Sequence, residues 1–458
     1  MSWPHREGRG LLLFVWLLSI TGAFLATSST LASNNLLPKA VSLHAAGCLS
    51  LVLLSTKRRW GLPGWLGIAL AGWVVMLALV IRGDTVGPTL DAVSALAVVL
   101  AVAAGVGPRS LLIRLFTGLA VGNALIAFLD GVVPLGLGEG TRPSGLLASR
   151  ATAGAFTASV AALVVPSSFH WASASSLVTL GAMVVATRAR AAWAALMLAF
   201  LASSIRERSL RALLLCGAGG ALVLMAPFPG WRWTSSTPWQ DSLASLARLD
   251  VGDRMQLWRD SVRLVSFVGS GVGGFEARFP TPPDATTRVE APHFEALRSA
   301  IELGVGSILL VSLIAMALRP RRGRRARHVR WALVVLLMCS FTGKTFSEPP
   351  TLVLAAVLTG LLLRPSMRLT RTPATHSALA LVAAAGFAFA CVAVDARHLQ
   401  SSAGQQDAER LRAAGQLRTA WERLEPGLDN ARDMAPWRVA FELLRDIGDT
   451  RRCEALRA

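Results

Sequence analysis

The apolar residues of this chain come in long runs, not in the narrow stripes of water-exposed helices. Thirteen runs approach the length that spans roughly 30 Å of hydrocarbon. They fall at 11–28, 36–55, 62–81, 89–107, 111–133, 151–166, 172–187, 191–205, 212–226, 299–318, 331–343, 351–363 and 376–394. The pattern predicts an all-α polytopic membrane protein with 12 or 13 transmembrane helices, residues 1–394. It has one large extracytoplasmic loop, 227–298. The remainder, 395–458, reads as a helical hairpin in which Leu411, Ala414, Leu417 and Trp421 recur at helical spacing. Arg6 and Arg9 precede the first run as they would in a signal peptide. "TGAFLATSS" offers no small-x-small cleavage site, so the run reads as an anchor.

Composition agrees with the pattern. Hydrophobic residues make up 53% of the 458 residues, charged residues 16%, and the mean hydropathy is +0.51, whereas soluble domains carry about 25% charged residues. The net charge of +19 is unevenly placed. With the N-terminus in the cytoplasm, the cytoplasmic segments 1–10, 56–61, 108–114, 167–171, 206–211, 319–330 and 364–375 hold twenty Lys and Arg against Glu7 and Glu207. The tail after residue 394 balances eleven Arg with eleven acids. Basic residues gathered in cytoplasmic loops follow the positive-inside rule. "RPRRGRRARHVR" (319–330) is therefore read as a topology determinant near anionic lipid headgroups. No stacking aromatics accompany it, which argues against nucleic acid as a partner.

"FVGSGVGGFEARFP" places Gly269, Gly271 and Gly274 in G-x-G-x-x-G spacing. No strand–helix unit surrounds them, and they fall in the outer loop, away from cytoplasmic NAD or FAD. A tight turn that returns the chain to the membrane, through Gly271 and Gly273, fits better. Cys48, Cys216, Cys339 and Cys391 fall in apolar runs, Cys453 stands alone in the tail, and the seven His are scattered. No metal and no cofactor is expected.

Chemistry is expected where charge sits close to the bilayer, because it is costly there. The outer face carries Arg142 and Arg150, Arg188 and Arg190 at a span junction, and Arg254, Arg259 and Arg263 in "VGDRMQLWRDSVRL". The last segment reads as an amphipathic helix lying on the membrane, with Leu257, Trp258, Val262 and Val265 on its apolar side. Arg259 and Arg263 there either snorkel to headgroups or pair with Asp253 and Asp260. Arg190 has no acid nearby in sequence and interrupts an apolar run. A converging set of arginines suits a phosphate or pyrophosphate, which the guanidinium fork grips in two places. In "PHFEALRSAIELGVGSILL", His293 follows Pro292 at the turn into the tenth run, with Glu302 nine residues on. His293 is either a general base for a hydroxyl nucleophile or a solvated residue at a helix start. Glu302 either serves the site or bonds to a neighbouring helix.

These stretches resemble the O-antigen ligase and O-antigen polymerase superfamily of membrane glycosyltransferases. "RPSGLLASRATAGAF" is similar to that family's Arg-x-Ser-Gly loop at Arg142, Ser144 and Gly145, without the Asn that usually follows. "TRARAAW" is similar to its Thr-x-Ser-Arg-Gly-Ala junction at Thr187 and Arg190, with Ala189 for Ser and an added Arg188. "DRMQLWRDSV" and "GSGVGGF" are similar to its Arg-x3-Trp helix and Gly-Val-Gly-x-x-Phe turn at Arg254, Trp258, Gly271, Val272 and Gly273, with Phe275 one residue nearer than that spacing. "HFEALRSAIELG" matches His-Asn-x-x-Leu-x4-Glu-x-Gly at His293, Leu297, Glu302 and Gly304, with Phe294 for Asn. The matched stretches run from about 140 to 306, and the tail resembles a degenerate tetratricopeptide-type hairpin.

The resemblance implies an inverting, metal-independent transferase of the bacterial inner membrane, with its N-terminus cytoplasmic and its tail periplasmic. Its donor would be a polyprenyl-pyrophosphate-linked oligosaccharide, and its acceptor a glycan or the lipid core of lipopolysaccharide. Arg190 and Arg254 would stabilise the departing pyrophosphate, and His293 would activate or orient the acceptor hydroxyl. Arg142, Arg188, Trp258 and Glu302 would bind substrate or orient the site. Other polysaccharide-assembly proteins of the envelope would be partners. Ligase and polymerase differ in acceptor and are not separable from the residues. Two further classes remain: a lipid-linked glycan flippase, disfavoured because Asp91 and Asp130 sit near span ends, and an assembly scaffold built on the tail.

Overall fold

The computed structural model describes residues 7–26, 37–56, 59–61, 86–133, 145–147, 149–164, 171–203, 207–225, 251–271, 275, 294–319, 324–341, 345–346, 348–364, 368–371, 374–430, 435–449 and 452. The run 62–81, Arg142, Ser144, Gly273 and His293 lie outside them, as does the side chain of Arg254.

The described chain is helical apart from one two-stranded ribbon. The helices are α1 (Glu7–Leu25), α2 (Leu37–Ser55), α3 (Val86–Ala103), α4 (Arg109–Val132), α5 (Arg150–Leu163), α6 (Trp171–Ala186), α7 (Arg190–Ser203) and α8 (Glu207–Met225). They continue with α9 (Val251–Val262), α10 (Glu295–Leu303), α11 (Gly306–Leu318), α12 (Arg324–Ser340), α13 (Pro349–Leu363), α14 (Ala374–Ala413), α15 (Leu417–Leu424) and α16 (Ala435–Ile447). Two of them, Leu37–Ser55 and Arg109–Val132, are long and apolar enough to cross a membrane, and several shorter ones are equally apolar.

Two elements depart from the expected runs. The tenth run is not one helix: it breaks between α10 and α11 at Gly304, whose φ of 55° and ψ of −129° suit glycine alone. The last run and the start of the tail form one helix, α14, of 40 residues, about 60 Å long at 1.5 Å per residue. It passes position 394 without interruption. Gly415, with φ +76°, then ends it before the hairpin. There Ala408, Trp421, Leu424, Leu428, Ala440 and Leu443 form a separate small core, with Leu411 and Leu417 at its edge.

Small residues set the packing. A Cβ at Gly181 would lie 2.3 Å from the Cys216 carbonyl, and one at Gly219 would lie 1.9 Å from that of Val178. Helices α6 and α8 therefore touch backbone to backbone, as small residues permit between apolar helices. Gly219→Val is expected to force them apart, at a cost of about 1–3 kcal/mol or more. Thermal unfolding of the solubilised protein checks this, with Gly217→Ala as the neutral comparison, because a Cβ there meets nothing within 4 Å.

The two ends of the bundle differ. At one, the ribbon β1 (Arg59–Gly61) pairs antiparallel with β2 (Arg368–Arg371). There the Arg364 guanidinium donates to the Gly107 carbonyl (3.5 Å) and Arg330 donates to that of Arg319 (3.0 Å). Burial, with Arg327 and Arg109 nearby, holds the His328 imidazole below its ordinary pKa. These are segments with a basic excess, brought together in space. The opposite end carries buried polar groups. Between the ends, large apolar side chains face outward on several helices: Leu11 and Phe14 on α1, Leu125 and Leu129 on α4, Leu198 on α7, Leu214 on α8, Ile308 on α11, Phe389 and Val392 on α14.

Candidate functional site

The polar end is assembled from helix starts. Ser149 caps α5, its hydroxyl accepting from the Thr152 amide at 3.2 Å. The Thr152 hydroxyl donates to Glu348 Oε1 at 2.6 Å. Glu348 caps α13, where Pro349 and Pro350 occupy the first turn, a position that needs no N–H donor. Lys39, fully buried at the start of α2, donates to the Leu146 carbonyl. The Leu146 amide donates to Asn123 Oδ1 at 2.8 Å. Gly145, at φ +62°, lies so close that a Cβ would sit 2.5 Å from Asn123 Oδ1. The glycine of the Arg-x-Ser-Gly stretch thus docks on α4 beside the buried Lys39.

The turn at 267–271 is locked to α10 and α11 by backbone hydrogen bonds. Ser270 N donates to Ile301 O, Gly271 N to Glu302 O and Val305 N to Phe267 O, each at 2.9 Å. Gly269 (φ +87°) and Gly271 (φ +91°) supply the backbone geometry. A Cβ at Gly269 would lie 2.4 Å from the Glu302 carbonyl. The glycines therefore build a seam that lays α9 against α10. The Trp258 ring lies 5.5 Å from that of Phe294, which stacks in turn on Phe341 at 5.1 Å. Trp258 is one helical turn beyond Arg254, and Phe294 directly follows His293 in sequence; His293 itself lies outside the described residues. At the surface, Arg263 pairs loosely with Asp260 (3.9 Å).

Glu302 is buried, and its carboxylate accepts from Arg298 Nε at 2.8 Å; Glu295 lies 3.8 Å from the same guanidinium. Glu295 Oε1 also accepts from the Phe346 amide at 3.3 Å. Glu302 thus has an ion-pair partner one turn back on its own helix. In the sequence these pairs show only as spacings, Glu295 to Arg298 at i, i+3 and Arg298 to Glu302 at i, i+4.

The α6–α7 junction carries Arg188 and Arg190. Thr187 is buried, and its hydroxyl donates to Val184 O at 2.9 Å. Arg188 adopts φ +52°, an uncommon left-handed conformation for a branched cation. The junction packs so tightly on α5 that a Cβ at Gly154 would lie 2.5 Å from Ala189 Cβ. A path of contacts then links the parts: junction to α5, α5 through Thr152 to Glu348, and the neighbouring 345–346 turn to Glu295 on α10. Below the junction, Gly181, Val184, Trp193, Met197, Gly217 and Gly220 line an apolar groove of about 210 Å³ between α6, α7 and α8.

A second polar cluster was not foreseen. His44 on α2 places Nδ1 2.9 Å from Asp395 on α14 and Nε2 3.0 Å from Asp91 on α3. Asp91, near the end of its run in sequence, is buried in space. Among the described residues no three His, Cys, Asp or Glu are arranged to hold a metal ion. Comparison of the sequence with protein-family models and with curated proteins finds no match.

Proposed function

We propose that the chain is a polytopic membrane glycosyltransferase that uses a polyprenyl-pyrophosphate-linked oligosaccharide as donor, in the manner of an O-antigen ligase or polymerase. The observation that carries this reading is the seam between residues 267–271 and α10–α11, with Trp258 against Phe294, since the two stretches it joins are those that resemble the family's Arg-x3-Trp helix and its His-containing helix start. Membrane embedding is supported by the outward apolar side chains on α1, α4, α7, α8, α11 and α14, which suit a lipid surround. The clustering of basic segments at one end and buried polar groups at the other fits a cytoplasmic face opposite a periplasmic one.

In this reading an acceptor hydroxyl attacks the anomeric carbon from the face opposite the pyrophosphate. His293 takes the hydroxyl proton as the C–O bond forms. The glycosidic bond to pyrophosphate breaks, and polyprenyl pyrophosphate leaves with the electron pair. Negative charge grows on that leaving group, so fixed guanidinium groups stabilise the transition state more than the bound donor. Arg190 and Arg254 fill that role, with Arg188 and Arg142 as helpers. The groove below Arg190 has the apolar lining an isoprenoid tail needs. Trp258 holds the α9–α10 contact, and Glu302 fixes α10 through Arg298.

A second reading, transport of a lipid-linked glycan, is favoured by one observation: the imidazole of His44 held between two buried carboxylates, the kind of group that carries protons in transporters. A gel profile of surface glycans, in a strain lacking the chain and in the same strain complemented with it, separates the readings. Long chains retained on the lipid carrier mean a ligase, and single repeat units on the acceptor mean a polymerase. Donor that stays inaccessible at the outer face means a flippase. An unchanged profile overturns all three.

A further inference from the structure

We propose that His44, Asp91 and Asp395 form a proton-binding site whose occupancy controls how firmly α14, and with it the tail, is held to the bundle. The inference is independent of the glycan reading.

The three groups come from three helices, and the side chains are 2%, 13% and 9% exposed. Both ring nitrogens of His44 lie close to a carboxylate: Nδ1 is hydrogen-bonded to Asp395 at 2.9 Å, and Nε2 pairs with Asp91 at 3.0 Å without hydrogen-bond alignment. Only a protonated imidazole carries an N–H on both nitrogens. Losing one proton to water leaves a single N–H and a lone pair that faces a carboxylate at the other nitrogen. The ring can then serve one acid, and the second arm is repelled.

The packing decides which arm gives way. Helix α2 meets α3 with no room to spare: a Cβ at Gly47 would lie 2.7 Å from Ser94 Cα. Helix α3 is in turn wedged on α13, where a Cβ at Gly360 would lie 2.7 Å from Val99 O. The Asp91 arm is therefore rigid. Helix α14 meets the bundle mainly along α2, and Phe389 and Val392 on it face outward. The Asp395 arm is the one free to loosen. One turn further along the same seam, Cys48 on α2 and Cys391 on α14 are hydrogen-bond neighbours.

These are the titratable groups around His44: Asp91 from α3, Asp395 from α14 and Cys48 on α2 itself, with Cys391 of α14 next to Cys48. The other helices packed on α2 meet it elsewhere, α1 through Trp16 on Ser50 and the cap of α13 through Glu348 near Lys39. Stability alone gives little reason to keep such a triad, because apolar replacement of a buried ion group is often neutral or stabilising. Residue 395 lies within α14, and the same helix runs on to Ala413, against which the hairpin packs. A change at Asp395 is thus passed to the tail without a joint.

The test uses the full chain in lipid nanodiscs. The His44 imidazole is followed by nitrogen NMR, identified as the resonance missing in His44→Gln. Hydrogen exchange of residues 391–413 is measured across the same pH series and corrected for intrinsic rates. Wild type is expected to lose protection in this segment on the order of tenfold as His44 loses its proton, the effect of one charge-assisted hydrogen bond. Asp395→Asn is expected to show the low protection at every pH. Asp91→Asn is expected to keep high protection at every pH, because a neutral ring then remains free to donate to Asp395. A His44 that does not titrate while the fold persists overturns the proposal. So does a titration without a step in exchange, or the same step in both Asn variants. His44→Gln serves only to assign the resonance; if it fails to fold, assignment passes to the resonance that shifts in Asp91→Asn.

Discussion

The His293→Ala chain is expected to insert and accumulate like wild type, yet transfer no glycan. Two separate arguments support the two halves of that result. Insertion depends on the apolar runs and basic loops, none of which includes residue 293. The local fold depends on the neighbour, Phe294, whose ring is held between Trp258 and Phe341. Removing the imidazole therefore leaves the anchor of α10 in place. Transfer needs a group that takes the acceptor proton as the bond to carbon forms, and loss of such a group costs on the order of 10²–10⁴ in rate. In a glycan gel that factor reads as absence of product. His293→Gln tells positioning from proton transfer: its amide orients a hydroxyl but accepts no proton near neutral pH. If Gln restores transfer, His293 positions the acceptor and does not act as a base. If Ala itself restores transfer while the chain is present at wild-type level, the glycosyltransferase assignment of this residue is wrong.

What was legible in the sequence followed from how each signal is encoded. Apolar runs are local, so each run that is described falls on helix, the tenth on two. The break at Gly304 was hidden because the residues on both sides are apolar, and only the backbone of Phe267, 37 positions earlier, explains it. The continuity of α14 was hidden by the change from apolar to charged residues near Asp395. That change marks a shift of surroundings, and the helix runs through it. The glycines point to a tight turn through Gly271 and Gly273, of which the described residues reach Gly271; its partners, the carbonyls of Ile301 and Glu302, have no signal in the sequence. His44 and Asp395 are 351 residues apart, and no pattern in either helix points to the other. Lys39 and Glu348 were passed over for the same reason: each is an isolated charge at the end of an apolar run, and only packing makes them neighbours.

Gly304→Val is expected to disable the chain without touching any residue assigned to chemistry. At φ 55° and ψ −129° the backbone of residue 304 lies where side chains are strained, at about 1–3 kcal/mol. A Cβ there would also stand 2.2 Å from Phe267 O and 2.7 Å from Gly269 N, and overpacking of that kind costs roughly another 1–3 kcal/mol. The clash falls on the atoms that form the seam, because Phe267 O accepts the Val305 amide. The relief open to the chain is to lift residues 267–271 away, which also breaks the bonds of Ser270 and Gly271 to α10 and frees α9 with Trp258. Thermal unfolding of the solubilised protein should shift downward, and transfer should fall with it. Gly386→Ala on α14 is the control, since a Cβ there meets nothing within 4 Å; it should change neither. A Gly304→Val chain with wild-type unfolding would mean that the seam is dispensable to the fold. If it also kept full transfer, holding α9 against α10 would not be what brings Arg254 and His293 to the same substrate.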